Sequence, residues 1–185
     1  MLTAVFADAW RARGSEYSVV LRDLHVDPLP HLRTTAQHWP ERLRGGMEVP
    51  ADLDALQQTV IDELLRSDAV VIGAPMYNYG IASTLKAWVD LIHVPGVTAP
   101  FDVSTQPMAG RPAVIVTARG GVDGPENSYV TGPLTSVLGE GLGMRISVVT
   151  TSRTLANRIS ELDTERASAE LEDARRAAGR LAQDL

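Results

Sequence analysis

The sequence predicts an α/β fold, an open parallel β-sheet with helices packed on both faces. Three observations predict it. Strand-like and helix-like segments alternate along the chain. The strand-like segments are unbroken apolar runs, such as Ala113-Val114-Ile115-Val116-Thr117, and a strand reads this way when both of its faces are buried. A length of 185 residues, with 44% hydrophobic and 22% charged residues, suits a single domain spanning 1–185 with a core of its own.

Leu2, Val5, Phe6 and Ala9 recur at helical spacing with Trp10 beside them, and predict a helix over 2–13 ending at Gly14. Tyr17 to Leu24 is apolar and β-branched and predicts a strand, stopped by Asp27-Pro28-Leu29-Pro30. Residues 28–50 carry four prolines and Gly45-Gly46, which predicts a long connection with one short helix near Pro40–Leu43. Leu53, Leu56, Val60, Ile61, Leu64 and Leu65 predict a second helix, capped by Asp52 or Asp54. A strand follows at 69–73. Leu85, Trp88, Val89 and Ile92 mark the apolar face of a third helix, with Ser83 and Thr84 as its capping residues. Residues 94–112 read as loop and 113–117 as strand. A Gly-, Pro- and Asn-rich loop then leads to a helix around Thr135–Glu140. Arg145–Thr150 reads as the last strand, and a charged, Ala-rich helix runs from Glu161 to the C-terminus.

Composition removes several function classes. The chain has no cysteine, so disulfides, thiolate nucleophiles and Cys-based metal centres are excluded, and a reducing cytoplasm is the simplest compartment. A net charge of −6 opposes a general nucleic-acid surface. No apolar run approaches the roughly 18 residues of a membrane span, and Met1–Gly14 lacks the basic start of a signal peptide. His25, His31 and His38 fall in or near the Pro-rich connection without the spacing of a metal site, so no metal is expected.

Ligands of open α/β sheets bind outside the carboxyl ends of the strands. Two loops predicted there have unusual content. Residues 75–80 present Pro75, Met76, Tyr77, Asn78 and Tyr79, and residues 118–121 present Ala118, Arg119, Gly120 and Gly121. Tyr77, Tyr79 and Met76 offer flat or soft surface to an aromatic ring. Asn78 offers a donor and an acceptor to a pyrimidine-like edge. The glycines let backbone N–H groups come close to a flat ligand, and Arg119 adds a positive charge. Each loop alone is also ordinary turn chemistry. Together, at two successive strand ends, they suit a planar, electron-accepting heterocycle such as a flavin.

Pro75-Met76-Tyr77-Asn78-Tyr79-Gly80-Ile81 with Ser83-Thr84-Leu85-Lys86-Ala87-Trp88-Val89-Asp90 resembles the flavin-edge loop and following helix of the FMN-dependent NADH azoreductases. These are flavodoxin-like NAD(P)H quinone reductases. Val116-Thr117-Ala118-Arg119-Gly120-Gly121 resembles their second flavin loop, with Ala118 where serine is usual, and Leu21-Arg22-Asp23-Leu24 with Asp27-Pro28-Leu29-Pro30 also matches. The resemblance implies FMN as cofactor, lined by Pro75–Tyr79 and Ala118–Gly121. It implies NADH or NADPH as donor, a quinone or azo compound as acceptor, ping-pong turnover without a catalytic side chain, and a homodimer. Two rival readings fit the same loops: a non-catalytic flavodoxin-like binding or dimerisation module with a vestigial flavin site, and a flavodoxin-type electron carrier unreactive with NADH. The Pro-rich connection at 28–50 favours the enzyme.

The family begins with a strand and a serine-rich loop that cradles the FMN phosphate. Here Met1 already falls in the first predicted helix, and Thr3 and Ser15 are poor substitutes for that loop. The resemblance therefore implies an N-terminally truncated flavodoxin-like domain without its first, central strand, through a start assigned too late or a fragment. A third option, in which residues 2–7 form that strand, leaves too short a link to Tyr17 for a crossover. About five apolar side chains at roughly 1.5–3 kcal/mol each would be lost with the strand, so such a chain is expected to fold poorly or close the gap another way.

Overall fold

A computed structural model describes residues 1–185. Three strands form one parallel sheet in the order β1 (Val70–Pro75), β2 (Pro112–Ala118), β3 (Arg145–Thr151). The register pairs Val70 with Ala113 through Pro75 with Ala118, and Pro112 with Arg145 through Ala118 with Thr151. All three strands therefore end level, and their carboxyl ends make one continuous edge.

The helices α1 (Leu2–Arg11), α2 (Ala51–Arg66), α3 (Ser83–Ile92), α4 (Ser128–Thr135) and α5 (Thr164–Asp184) divide between the two faces. Ala113 and Ile115 of β2 point into a core built with α2, α3 and α4, around Val60, Leu64, Leu85, Ile92, Val130 and Leu134. Val114 and Val116 point the other way, into a core with Leu2 and Phe6 of α1 and Ala174, Ala178 and Ala182 of α5. Adjacent residues thus serve opposite cores, which is why the strand reads as an unbroken apolar run. The alanine stripe lets α5 approach the sheet and α1 closely. Arg13 adds a hydrogen bond to the Ala182 carbonyl at 2.9 Å and lies over the ring of Trp10 at 4.8 Å.

Several sequence expectations need correction. Residues 17–24 form no strand, and no strand lies beside them. Val20 and Leu21 are each 82% exposed. High β-propensity does not make a strand without a partner to take its hydrogen bonds. Residues 2–7 are helical, which removes the option of a strand there. The 28–50 connection holds two short 3₁₀ turns, Thr35–His38 and Glu41–Leu43, rather than one helix. Pro50 precedes α2 and Ala82 precedes α3, so neither Asp52, Asp54, Ser83 nor Thr84 is the cap. The helix expected at 135–140 starts earlier, at Ser128, and widens into a π-helical turn over Ser136–Gly141. Pro133 lacks the N–H that would continue the α pattern, and downstream the Leu142 N–H reaches the Val137 carbonyl five residues back at 2.9 Å.

Candidate functional site

The level strand ends bring the two loops singled out from the sequence together. Pro75 lies opposite Ala118, and the Met76 N–H donates to the Ala118 carbonyl at 2.8 Å. Loops 75–80 and 118–121 therefore leave the same edge as neighbours, over the crevice where open α/β sheets take ligands.

The first loop is a two-residue turn. Tyr77 and Gly80 exchange both backbone hydrogen bonds at 3.0 Å. Asn78 and Tyr79 between them have φ of 47° and 64°. Two successive positive φ values are the signature of a type I′ turn, which favours Asn-Gly or Gly-Gly. Asn tolerates this conformation, whereas Tyr79 stores strain on the order of 1–2 kcal/mol. Strain of this kind persists only where the surrounding structure holds it, here through the paired Tyr77–Gly80 hydrogen bonds. Tyr77 and Tyr79 are 62% and 68% exposed, while Met76 turns inward against the core below α3. Neither the Asn78 nor the Tyr79 N–H has a partner in the protein.

The second loop is tied down from one side only. The N–H groups of Thr154, Leu155 and Arg153 donate to the carbonyls of Arg119, Gly120 and Gly121 at 3.1, 3.3 and 2.7 Å, and the Thr154 hydroxyl adds a second bond to Arg119 at 3.1 Å. All peptide bonds are trans, which sets each N–H opposite the C=O of the same plane. The N–H groups of Gly120, Gly121 and Val122 therefore point away from residues 153–155, and none of them has a protein partner. This layer, Thr151–Leu155, escaped the sequence reading. The sole available signal was the polar run Thr150-Thr151-Ser152-Arg153-Thr154 just past a strand.

The positive charge of Arg119 is paired rather than open to the crevice. Its guanidinium is bound to Glu126 at 3.1 Å and to Asn127 at 3.3 Å, and its Nε is buried without a partner. Glu126 is held below the usual carboxylate range by its own backbone N–H and by Arg119. The pair offsets most of the positive charge, which leaves the backbone N–H groups as the main electropositive feature of the edge.

His38 and His93 stack with ring centroids 6.3 Å apart, and Trp39 packs on Phe101 at 5.1 Å. No three His, Asp or Glu side chains converge in a way that could hold a metal ion. No helix is long and apolar enough to cross a membrane.

Comparison with known proteins agrees with this geometry. The profile of a family described as flavodoxin-like fold matches residues 1–179. An FMN-dependent NADH:quinone oxidoreductase of Kineococcus radiotolerans is 49% identical over 192 residues, covering 100% of this chain and 90% of the relative. Its counterpart in Streptomyces avermitilis is 35% identical over 82% of this chain and 71% of the relative. Among solved structures, an azoreductase of Bacillus anthracis superposes with a TM-score of 0.81 at 19% identity, over 100% of this chain and 90% of that one. An FMN-dependent NADH-azoreductase of the same species, in complex with FMN, gives 0.76 at 21% identity over 98% and 90%. The two structures establish the fold, and the two sequence relatives establish kinship.

Proposed function

We infer that the carboxyl-edge loops of this chain, which belongs to the flavodoxin-like family of FMN-dependent NADH:quinone oxidoreductases, hold the isoalloxazine ring of FMN. The protein is an FMN-dependent NAD(P)H oxidoreductase that reduces quinones by two electrons and cleaves aromatic azo bonds reductively, in ping-pong fashion. The observation that carries the site is the Met76–Ala118 hydrogen bond, which joins two loops whose outward N–H groups are all unclaimed.

The residues present fit the ring. Tyr77 and Tyr79 supply exposed aromatic faces. The N–H groups of Gly120, Gly121 and Val122 suit the polar edge of a flat ligand and favour negative charge there. Asn78 stands between the two phenols with its amide exposed to meet donors and acceptors alike. Ala118 brings no hydroxyl to the ring, so the second loop works through backbone alone. For the phosphate, the Leu2 and Thr3 N–H groups at the start of α1 have no backbone acceptor, and Thr3 packs on Gly73, near the end of β1. FMN, when bound, supplies the redox chemistry, taking hydride from NAD(P)H and passing two electrons to the acceptor. The chain's own part is to bind, to orient and to set the charge environment.

Two further features belong to this reading. The exposed rings of Tyr77, Tyr79, Phe101 and Tyr129 are each available to a homodimer contact. An acidic chain without cysteine suits the cytoplasm. The test is to titrate the protein with FMN, add NADH anaerobically and follow the flavin absorbance. Saturable binding, bleaching by NADH and recovery with a quinone are expected. A protein that binds neither FMN nor the ring alone, as lumiflavin, overturns the assignment, and sedimentation of the same sample decides the dimer.

A further inference from the structure

We propose that Arg153, clamped by Glu170 and Ser152, is a positioning residue that aims the N–H groups of Gly120, Gly121 and Val122 at the ring edge. The inference rests on the flavin reading above and names the device behind it.

Arg153 immediately follows the strand-end pair Thr151-Ser152 at the carboxyl edge and has φ of 55°, the left-handed region that an arginine rarely adopts. It is only 8% exposed. A strained backbone and a buried charge are both unfavourable, so something must hold this residue in place. Two groups do. The Arg153 guanidinium donates to the Glu170 carboxylate and, at 3.3 Å, to the Ser152 hydroxyl. Ser152 is itself buried and donates to Glu170 as well. Glu170 belongs to α5, whose small-residue face is seated on the sheet. The clamp therefore connects a rigid element to one residue of the 153–155 turn.

What the turn does next is fixed by peptide geometry. In the left-handed conformation Arg153 presents its own N–H to the Gly121 carbonyl at 2.7 Å, and Thr154 and Leu155 then reach the carbonyls of Arg119 and Gly120. Three successive peptide planes of the flavin loop thus have their oxygens held on one side and their N–H groups turned to the other. Leu155 supports the same plane from below, since a Cβ on Gly120 would lie 2.6 Å from its Cδ1. No side chain of this network need touch the ring. Its effect passes through the orientation of three dipoles, which matter most when the ring edge gains negative charge.

The test compares Arg153→Ala, Arg153→Gly and Glu170→Gln with the unaltered chain, and uses Arg176→Ala, an exposed pair on α5, as control. Arg153→Gly can keep the left-handed turn without the anchor, whereas Arg153→Ala keeps neither. The expected order of damage is Arg153→Ala, then Glu170→Gln, then Arg153→Gly, with the control unchanged. In the flavin-free protein, amide exchange at positions 153–155, whose N–H groups hold the loop carbonyls, should speed up by about tenfold or more while the β2 amides stay protected. In the loaded protein, FMN should bind less tightly, and its midpoint potential should fall by about 30 mV for each tenfold loss of preference for the reduced ring. A variant with weakened but normally poised flavin, or unchanged exchange at 153–155, overturns the proposal. Should the unaltered chain bind no flavin, the site reading fails, and the exchange pattern still decides whether Arg153 orders the loop. If Glu170→Gln does not fold, Ser152→Ala tests the same clamp more gently.

Discussion

Gly120 and Gly121 look alike in the sequence and differ in the molecule. A methyl group on Gly120 would collide with Leu155 Cδ1 at 2.6 Å and Cγ at 3.0 Å, whereas one on Gly121 would meet only the Arg119 Nη2 at 3.9 Å. Gly120→Ala should lift the loop off the 153–155 turn and weaken FMN binding by about tenfold or more, against at most about twofold for Gly121→Ala by sterics alone; a fluorescence titration of both variants separates the two roles. A second residue-scale effect is set by His93. Burial and the neighbouring His38 lower its pKa below the usual imidazole value, against its own backbone and Asp90, which raise it. The unfolded chain takes up a proton near pH 6.5 while the folded chain still refuses it, so the stability contribution is complete above about pH 6.5. It is lost as pH falls from there towards the lowered folded value. Thermal unfolding of the unaltered chain and of His93→Gln across this window should converge at the acid end, and parallel curves would rule the effect out.

At the scale of elements, the tight turn carries strain at Tyr79. Tyr79 pays about 1–2 kcal/mol for its positive φ, and glycine there would remove that cost while adding about 0.5–1 kcal/mol of lost backbone freedom. Tyr79→Gly should therefore raise stability by up to about 1.5 kcal/mol and weaken ring binding; a denaturant melt paired with an FMN titration checks both signs. The elements also show what the sequence made legible. Segments that bury their own periodic faces, such as α2, α3, α5 and the buried strand β2, were readable to within a few residues. Loops 75–80 and 118–121 were readable as a pair because they follow successive strands, and consecutive strands became neighbours. Residues 17–24 misled because apolar β-branched residues report a preference, and a preference needs a hydrogen-bonding partner to become a strand. Helix starts misled for a related reason: α2 and α3 are entered from Pro50 and Ala82, with no side chain satisfying the first N–H groups. Among the α-helices only Asp163, whose carboxylate accepts from the Arg166 N–H at 2.9 Å, caps as its residue type predicts, and Thr34 does the same for the 3₁₀ turn Thr35–His38. The Arg153 turn was invisible because no local pattern announces an arginine with positive φ.

The whole molecule is a two-sided sandwich built on three strands, and its edge β1 carries Gly73 exposed in mid-strand. Residues 19–22 make no backbone hydrogen bond, and are anchored on one side by Tyr17 on Trp10 and on the other by the Arg22–Glu63 pair at 2.6 Å and Leu24 on the core. An edge strand and an unpaired segment rich in valine and leucine are both ready templates for pairing with another chain. Nothing in the fold blunts them: Val20, Leu21 and Val26 are exposed to 82%, 82% and 77%. Residues 1–185 should therefore exchange the amides of 19–22 rapidly and self-associate as concentration rises, in a manner separate from any dimer at the flavin edge. Leu21→Lys removes no buried contact and adds a charge to that segment, so it should suppress the association with stability within about 0.5 kcal/mol of the unaltered chain. Light scattering against concentration, read beside FMN binding on the same samples, distinguishes the two surfaces, since only the flavin-edge contact should respond to the cofactor. Equal association by the lysine variant would mean that residues 19–22 take no part in it.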